Sequence, residues 1–231
     1  MINTGGVSAK PAKHFSTALD QISNFIYLMT GEFQGAQAFS NIDVLLAPYV
    51  YNDKLKYDQV KQEIQQLVWN LSFNTRPGFQ SPFTNLTFGL RPSNYYKDMS
   101  PIIGDKVLFN NTYDDYQEEI DLINKAFLDI MIEGPGDDKP FTFPLPTYNI
   151  TKDFDWNSDV SNKIFYGAEK CAIPYISNNM NIDLSEEDSL SMCCRLKLDT
   201  TQIQRVTGGI WNFGSNTGSI AVFTLNMSRI R

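Results

Sequence analysis

The chain has 231 residues, 42% hydrophobic and 19% charged, a globular composition with enough length to bury a sizeable core. Its formal net charge of −7 argues against a nucleic-acid groove, because no Lys/Arg stripe is present to neutralise phosphates. No apolar run approaches the roughly 20 residues that span a bilayer, so no membrane partner is expected.

The opening residues Met1 to Gly6 lack the charged and apolar regions of a signal peptide. Three cysteines, an odd number, do not make a disulfide framework. The expected compartment is therefore the reducing cytoplasm. Sequons at Asn70, Asn85, Asn110, Asn149 and Asn226 then read as polar positions in strands and turns.

In Ser8–Ser16, two lysines and His14 precede a helix, where loop N–H groups would suit a phosphate; a capped helix with solvated lysines fits the spacing equally. Ala18, Leu19, Ile22, Phe25, Ile26 and Met29 predict that helix over Phe15–Thr30, stopped by Gly31. A second helix is predicted from about Tyr57 to Leu71, with Val60, Ile64, Leu67, Val68 and Leu71 on one face. Phe83–Phe88 reads as a strand. A third helix spans roughly Asp114 to Ile132 and ends at Gly134-Pro135-Gly136. The run Phe141–Ile150 follows, weakened as a regular central strand by Pro144 and Pro146, neither of which can donate to a ladder. A shorter helix over Ser158–Cys171 and strands at Pro174–Ser177 and Ile220–Leu225 complete the pattern. Strands alternating with helices of this length predict βαβ units and a mostly parallel sheet, either an α/β layer or part of an α/β barrel.

Two cysteines stand together in Ser191-Met192-Cys193-Cys194-Arg195. An ordinary structural disulfide cannot join neighbours without backbone strain. Polar sequence surrounds the pair, which predicts a loop, where functional residues collect. The alternative for Cys194 is a small buried hydrophobe. A polar nucleophile would want a nearby His to form the thiolate, and His14 is the only one. Hydrogen-atom abstraction by a thiyl radical needs no such base. Cys171 closes an amphipathic segment and is expected in the core. Asn216, in Gly214–Ile220, can donate and accept hydrogen bonds without adding charge, and an ordinary turn Asn fits there too. There is no Gly-rich phosphate loop and no zinc spacing. Glu186, Glu187 and Asp188 read as a helix first turn starting at Ser185, so no metal site is expected.

Six stretches carry a likeness: Ser8–Ile22 (SAKPAKHFSTALDQI), Gly35–Val50 (GAQAFSNIDVLLAPYV), Gln80–Phe88 (QSPFTNLTF), Phe141–Trp156 (FTFPLPTYNITKDFDW), Ser191–Leu196 (SMCCRL) and Gly218–Ile230 (GSIAVFTLNMSRI). In this order they resemble the central part of the class III, anaerobic ribonucleoside-triphosphate reductases, which are glycyl-radical enzymes. The resemblance implies α/β architecture, with residues 1–231 forming part of a ten-stranded α/β barrel around a cysteine-bearing finger loop. It implies that Cys194, directly before Arg195, becomes the thiyl radical and that Cys193 is a bystander. It implies that Asn216 orients the ribose hydroxyls, and that Ser215, Thr217, Gly218 and Ser219 help hold substrate phosphate. The Ser8–Thr30 region resembles the dimer-interface helix near which a dNTP effector binds, which points to His14 and Ser16.

The implied partners are a ribonucleoside triphosphate substrate, dNTP or ATP effectors, a second copy of the chain, and a radical-SAM activase with a 4Fe–4S cluster. The activase generates the glycyl radical, and no cofactor is expected on this chain itself. The family's short Arg-Val-x-Gly-Tyr run, its four-cysteine zinc site, its ATP-cone domain and the barrel segment with a second active-site cysteine are absent from this sequence. The expectation is a fragment, a split-gene product or a truncated frame, needing a complementary chain and inactive alone. Rivals are a pyruvate formate-lyase-like enzyme, in which both adjacent cysteines act, and an inactive remnant.

Overall fold

Apolar residues at helical spacing bury one side of α1 (Phe15–Glu32) through Phe15, Ala18, Leu19 and Ile26, so the first helix forms as predicted and runs two residues further. The structure is a computed structural model that describes residues 8–33, 35–74, 77–136 and 139–180, and the backbone of 189–191 and 197–199. After α1 come a short strand β1 (Gln37–Phe39) and helix α2 (Ile42–Asp53), neither of which the sequence reading anticipated. Helix α2 is apolar nearly all round, with Ile42, Val44, Leu46, Ala47, Pro48 and Val50 buried, so it has no stripe to detect. Pro48 lies inside it and argues against a helix locally; burial on every side overrides that preference.

Helix α3 (Tyr57–Ser72) buries the predicted face Val60, Ile64, Leu67, Val68 and Leu71. Strand β2 (Thr84–Phe88) follows, wholly buried. A helical turn α4 (Asn94–Lys97) and a small antiparallel hairpin, β3 (Ile102–Ile103) with β4 (Lys106–Val107), lead to a 3-10 turn over Tyr113–Tyr116. Helix α5 (Gln117–Glu133) then buries Ile120, Ile123, Ala126, Phe127, Ile130 and Met131. It stops at Gly134, whose φ is +72°, and where an added Cβ would lie 2.4 Å from the Lys139 carbonyl oxygen. Strand β5 (Leu145–Ile150), helix α6 (Asp159–Cys171) and strand β6 (Tyr175–Asn178) complete this part. The Ser158 hydroxyl caps α6 by accepting from Ser161 N at 3.1 Å. Strands β7 (Ser189–Ser191) and β8 (Lys197–Asp199) form an antiparallel pair in register Ser189↔Asp199, Leu190↔Leu198 and Ser191↔Lys197.

Among the described residues the main sheet has four strands in the order β1-β2-β5-β6, all parallel and advancing in chain order. Mixed α/β architecture with a parallel sheet is thus as expected. The weakening assigned to β5 needs correcting: it is a central strand. Pro144 precedes it, and Pro146 pairs only with Leu86, because pairing toward β6 begins one residue later at Thr147↔Tyr175. At the level of Pro146 the strand has a neighbour on one side alone, where a missing donor is tolerated.

Leu86 and Phe88 of β2 and Tyr148 of β5 join the helices in one hydrophobic core. The Phe88 ring stacks on Tyr148 at 4.8 Å and tilts against Phe127 of α5 at 4.6 Å. Burying each such side chain is worth roughly 1.5–3 kcal/mol, enough to fix β2 and β5 against α5.

Candidate functional site

Side chains alternate across a sheet, and the β2–β5–β6 register sorts them into two faces. Leu86, Phe88, Tyr148 and Ile150 share the face that meets the helices. Asn85, Thr87, Thr147, Asn149 and Ser177 share the other. This second face is polar yet largely buried: Asn85 and Thr87 are each 1% exposed. Buried polar groups must pair, and here they pair with one another. Asn85 Nδ2 donates to the Leu145 carbonyl at 3.1 Å and to Thr147 Oγ1 at 2.9 Å, while Thr87 Oγ1 donates to Asn85 Oδ1 at 3.2 Å. The Asn149 Oδ1 atom is buried and has no hydrogen-bond partner among the described residues.

Asn149 lies near the carboxyl end of β5, where a cleft of about 100 Å³ opens between the segments leaving β2 and β5. Clefts outside the carboxyl ends of parallel strands are the usual ligand sites of α/β sheets. Leu90 and Arg91 form one wall, and Thr151, Asp153 and Asp155 another. The wall after β2 is held from below. Asp43 of α2, fully buried, accepts from Gly89 N at 2.9 Å, Leu90 N at 2.8 Å and Asn124 Nδ2 of α5 at 2.9 Å. Gln117 Nε2 donates to the Leu90 carbonyl at 3.0 Å and to Asp121 Oδ1 at 2.8 Å. Leu90 itself has φ +65°, a conformation an L residue adopts only when its surroundings over-determine it. Burial pushes the Asp121 carboxyl up, against the opposing pull of Gln117 and the Lys125 and Arg91 charges. Burial likewise raises Asp43, outweighing its hydrogen bonds.

The predicted residues divide sharply. Cys193, Cys194, Ser215, Asn216, Thr217, Gly218 and Ser219 lie outside the described residues, as do Glu186, Glu187, Asp188 and the run Ile220–Leu225. The two cysteines fall within the sequence Met192–Leu196, which β7 and β8 flank. His14 and Ser16 are described, at the leading end of α1 and away from the cleft. His14 Nδ1 lies 2.9 Å from Asp53 Oδ1, and Phe15 N donates to Asp53 Oδ2 at 2.7 Å. A carboxylate from the end of α2 thus meets the first amide of α1, the end where the sequence suggested a phosphate. Cys171 is half-buried, its thiol 3.9 Å from the Ile132 carbonyl. Among the described residues no three His, Cys, Asp or Glu are grouped to hold a metal ion, and no helix is long and apolar enough to cross a membrane.

Reading the sequence for motifs missed the polar face, Asp43 and the cleft. The available signal was the alternation in Asn85-Leu86-Thr87-Phe88 and Thr147-Tyr148-Asn149-Ile150, which marks two strands each with one polar side. The sequons Asn85 and Asn149 are indeed strand positions and Asn110 is in a turn, whereas Asn70 lies in α3.

A sequence model for the family described as anaerobic ribonucleoside-triphosphate reductase matches residues 2–231. No curated protein matches the chain. Among solved structures, an anaerobic ribonucleotide reductase is similar over 78% of this chain and 29% of its own, at 22% identity and TM-score 0.60. The reductase from Thermotoga maritima with citrate in the active site aligns over 83% of this chain and 35% of its own, at 23% identity and TM-score 0.61. The same enzyme in complex with dATP and CTP aligns over 81% and 32%, at 19% identity and TM-score 0.57. The chain therefore spans about a third of the length of these structures.

Proposed function

The chain belongs to the anaerobic ribonucleoside-triphosphate reductase family, and on that premise we propose that it is a portion of the catalytic barrel of such a reductase. In this reading Cys194 abstracts a hydrogen atom from the ribose, Asn216 orients the sugar hydroxyls, and Ser215, Thr217, Gly218 and Ser219 hold substrate phosphate. The observation that carries it is the antiparallel pairing of β7 and β8, the two strands that flank Met192–Leu196 in the sequence. The sheet adds support. Four parallel strands that advance in chain order without reversal are wound in one sense, as the wall of a closed barrel is and a doubly wound sheet is not.

The substrate class is ribonucleoside triphosphates, and the relative carrying dATP and CTP supports nucleotides as effectors and substrates here as well. His14 and Ser16, near the start of α1, are the proposed effector contacts. A glycyl radical on a complementary segment, made by a radical-SAM activase, supplies the unpaired electron. The rest falls to this chain. The Cys194 sulfur takes the 3′ hydrogen, forming S–H and leaving the radical on carbon; the bond broken and the bond formed are of similar strength, so the exchange costs little. The Asn216 carboxamide hydrogen-bonds the ribose face while the 2′-hydroxyl departs as water; two electrons and two protons, drawn from a reductant of the formate or thioredoxin-like class and from solvent, reduce the resulting keto radical, and the Cys194 thiol then returns its hydrogen to C3′.

The test uses the chain assembled with the complementary polypeptide and activase, with deoxynucleotide formation as readout. Cys194→Ser is expected to lower turnover at least about 1,000-fold, whereas Cys193→Ser retains activity within a few-fold. Loss of activity in Cys193→Ser as complete as in Cys194→Ser would favour the pyruvate formate-lyase-like chemistry, in which both sulfurs act. Full deoxynucleotide formation by the 231-residue chain alone would overturn the requirement for a complementary segment.

A further inference from the structure

We propose that Asp43 is a proton-operated clasp on the wall after β2: when its carboxyl takes up a proton, it releases the Leu90 amide and the Gly89–Leu90 peptide flips. The hydrogen bonds carry this. Asp43 is fully buried, and its Oδ1 accepts from Gly89 N while its Oδ2 accepts from both Leu90 N and Asn124 Nδ2. An ionised Oδ2 serves two donors; once protonated it becomes a donor itself and must give one of them up. Asn124 is the better anchored, because its Nδ2 also donates to the Ile120 carbonyl at 2.8 Å within α5. Leu90 is the weaker partner, held at φ +65° against its own preference.

The flip costs the chain little. Rotating one peptide plane changes only Gly89 ψ and Leu90 φ; glycine tolerates the first, and the second carries Leu90 toward ordinary negative φ. An added Cβ at Gly89 would lie 3.0 Å from Asn41 Oδ1 and 3.2 Å from the Arg91 carbonyl oxygen, so the pivot has no room for a side chain. The rotation brings the Gly89 carbonyl to where the Leu90 N–H stood. The new O–H of Asp43 then donates to it, so one N–H···O bond is exchanged for one O–H···O bond, with the proton drawn from solvent. Gln117 still holds the Leu90 carbonyl at 3.0 Å, so the segment pivots in place and shifts Arg91, the next residue of the wall. Burial favours the neutral carboxyl and places the change above the ordinary carboxylate range. The titratable group facing Asp43 is Tyr148 of β5, which burial and the Asp43 charge keep protonated. Helix α5 faces it with Asn124, while Asp121 and Arg91 lie at the cleft beyond Leu90. Asp53, at the far end of α2, is paired with His14 of the α1 entry, and the 3-10 turn meets α2 through Tyr116 on Tyr51. The inference does not depend on the reductase reading, because it rests on this cluster's own bonds.

The test is NMR on the full 231-residue chain from about pH 7.5 to about pH 4.5, a window above the ordinary carboxylate range. The Asp43 carboxyl carbon is expected to titrate within it. Over the same steps the N–H to Hα NOE within Leu90, strong at positive φ, should weaken about threefold or more. Protection of the Leu90 amide from hydrogen exchange should fall about tenfold or more, while the Ile123 amide of α5 keeps its protection, which separates a flip from unfolding. Asp43→Asn, which presents an N–H donor permanently, should give the flipped signals at every pH. Because that variant changes the core, Leu90→Gly serves as the second. Glycine is at ease at positive φ, so the flip loses part of its drive, and the midpoint read on the Asp43 carbon should fall by about half a pH unit or more. The proposal is overturned if Asp43 stays charged throughout the window, or if it titrates while the Leu90 signals hold. Loss of Ile123 protection together with that of Leu90, or a Leu90→Gly midpoint equal to or above that of the parent chain, would overturn it too.

Discussion

Two carboxylates tie the helical layer together, and they do it in opposite ways. Asp43 sits fully buried in α2 and is met by neutral donors, among them the amides of Gly89 and Leu90 and the Asn124 carboxamide. Asp129 of α5 sits nearer the surface and is met by the Tyr57 hydroxyl of α3 and the Lys163 ammonium of α6. Burial dominates at Asp43 and raises its carboxyl. At Asp129 burial also pushes upward, but the hydrogen bonds and charge of Lys163, with the Tyr57 hydrogen bond, outweigh it and hold the carboxyl low. A carboxylate held by dipoles inside the core fixes geometry at an electrostatic cost; one held by a cation at the rim adds stability and fixes geometry less tightly.

Removing Asp43 should break the comparison most visibly. Asp43→Ala strands three donors in the core and is expected to cost about 3–5 kcal/mol, read as a lower midpoint in urea unfolding at pH 7. Asp129→Ala removes a partly exposed link across three helices and should cost about 1–2 kcal/mol in the same measurement. The two sites should then separate with pH. The folded Asp129 is lowered, so its contribution is present above the ordinary carboxylate range and is lost as pH falls through its folded value. The gap between wild type and Asp129→Asn should therefore close on acidification from pH 7 to pH 3. Asp43 is raised, so its charge penalises the fold at neutral pH and the penalty fades as pH falls. The gap to Asp43→Asn should widen over the same range. Two gaps moving in the same direction would contradict this assignment. The smallest effect is expected beside the other end of α2, where the exposed Lys54 caps the helix at φ +52°. Lys54→Gly should stabilise the chain by about 0.5–1 kcal/mol, measured as a raised unfolding midpoint.

How much the sequence disclosed varied with the kind of signal each segment carries. Helices α1, α3, α5 and α6 each bury one stripe, so periodicity located them to within a few residues. Helix α2 buries residues on every side and contains Pro48, so neither rule reaches it. The proline rule also undervalued β5, because whether a missing donor matters depends on which neighbour stands opposite. The site was legible in a different sense. Cys194 and Asn216 stood out as chemistry on loops, where local sequence is informative. Asp43 is 46 residues from Gly89 and 81 from Asn124, and only the fold brings them together. The face shared by Asn85, Thr87, Thr147 and Asn149 required strand register as well as alternation. Local pattern announced β2 and β5; pairing alone made a surface of them.

The carboxylate of Asp53 against the first amide of α1 has a consequence for anything negatively charged that approaches that helix. The seat is taken by the last residue of the neighbouring helix, so a newcomer enters as a competitor. Each arrival would evict Asp53, release its hold on His14 and free one helix from the next. Occupancy and mechanical loosening would then be the same event, and the strength of the internal latch would set the threshold concentration at which it gives way.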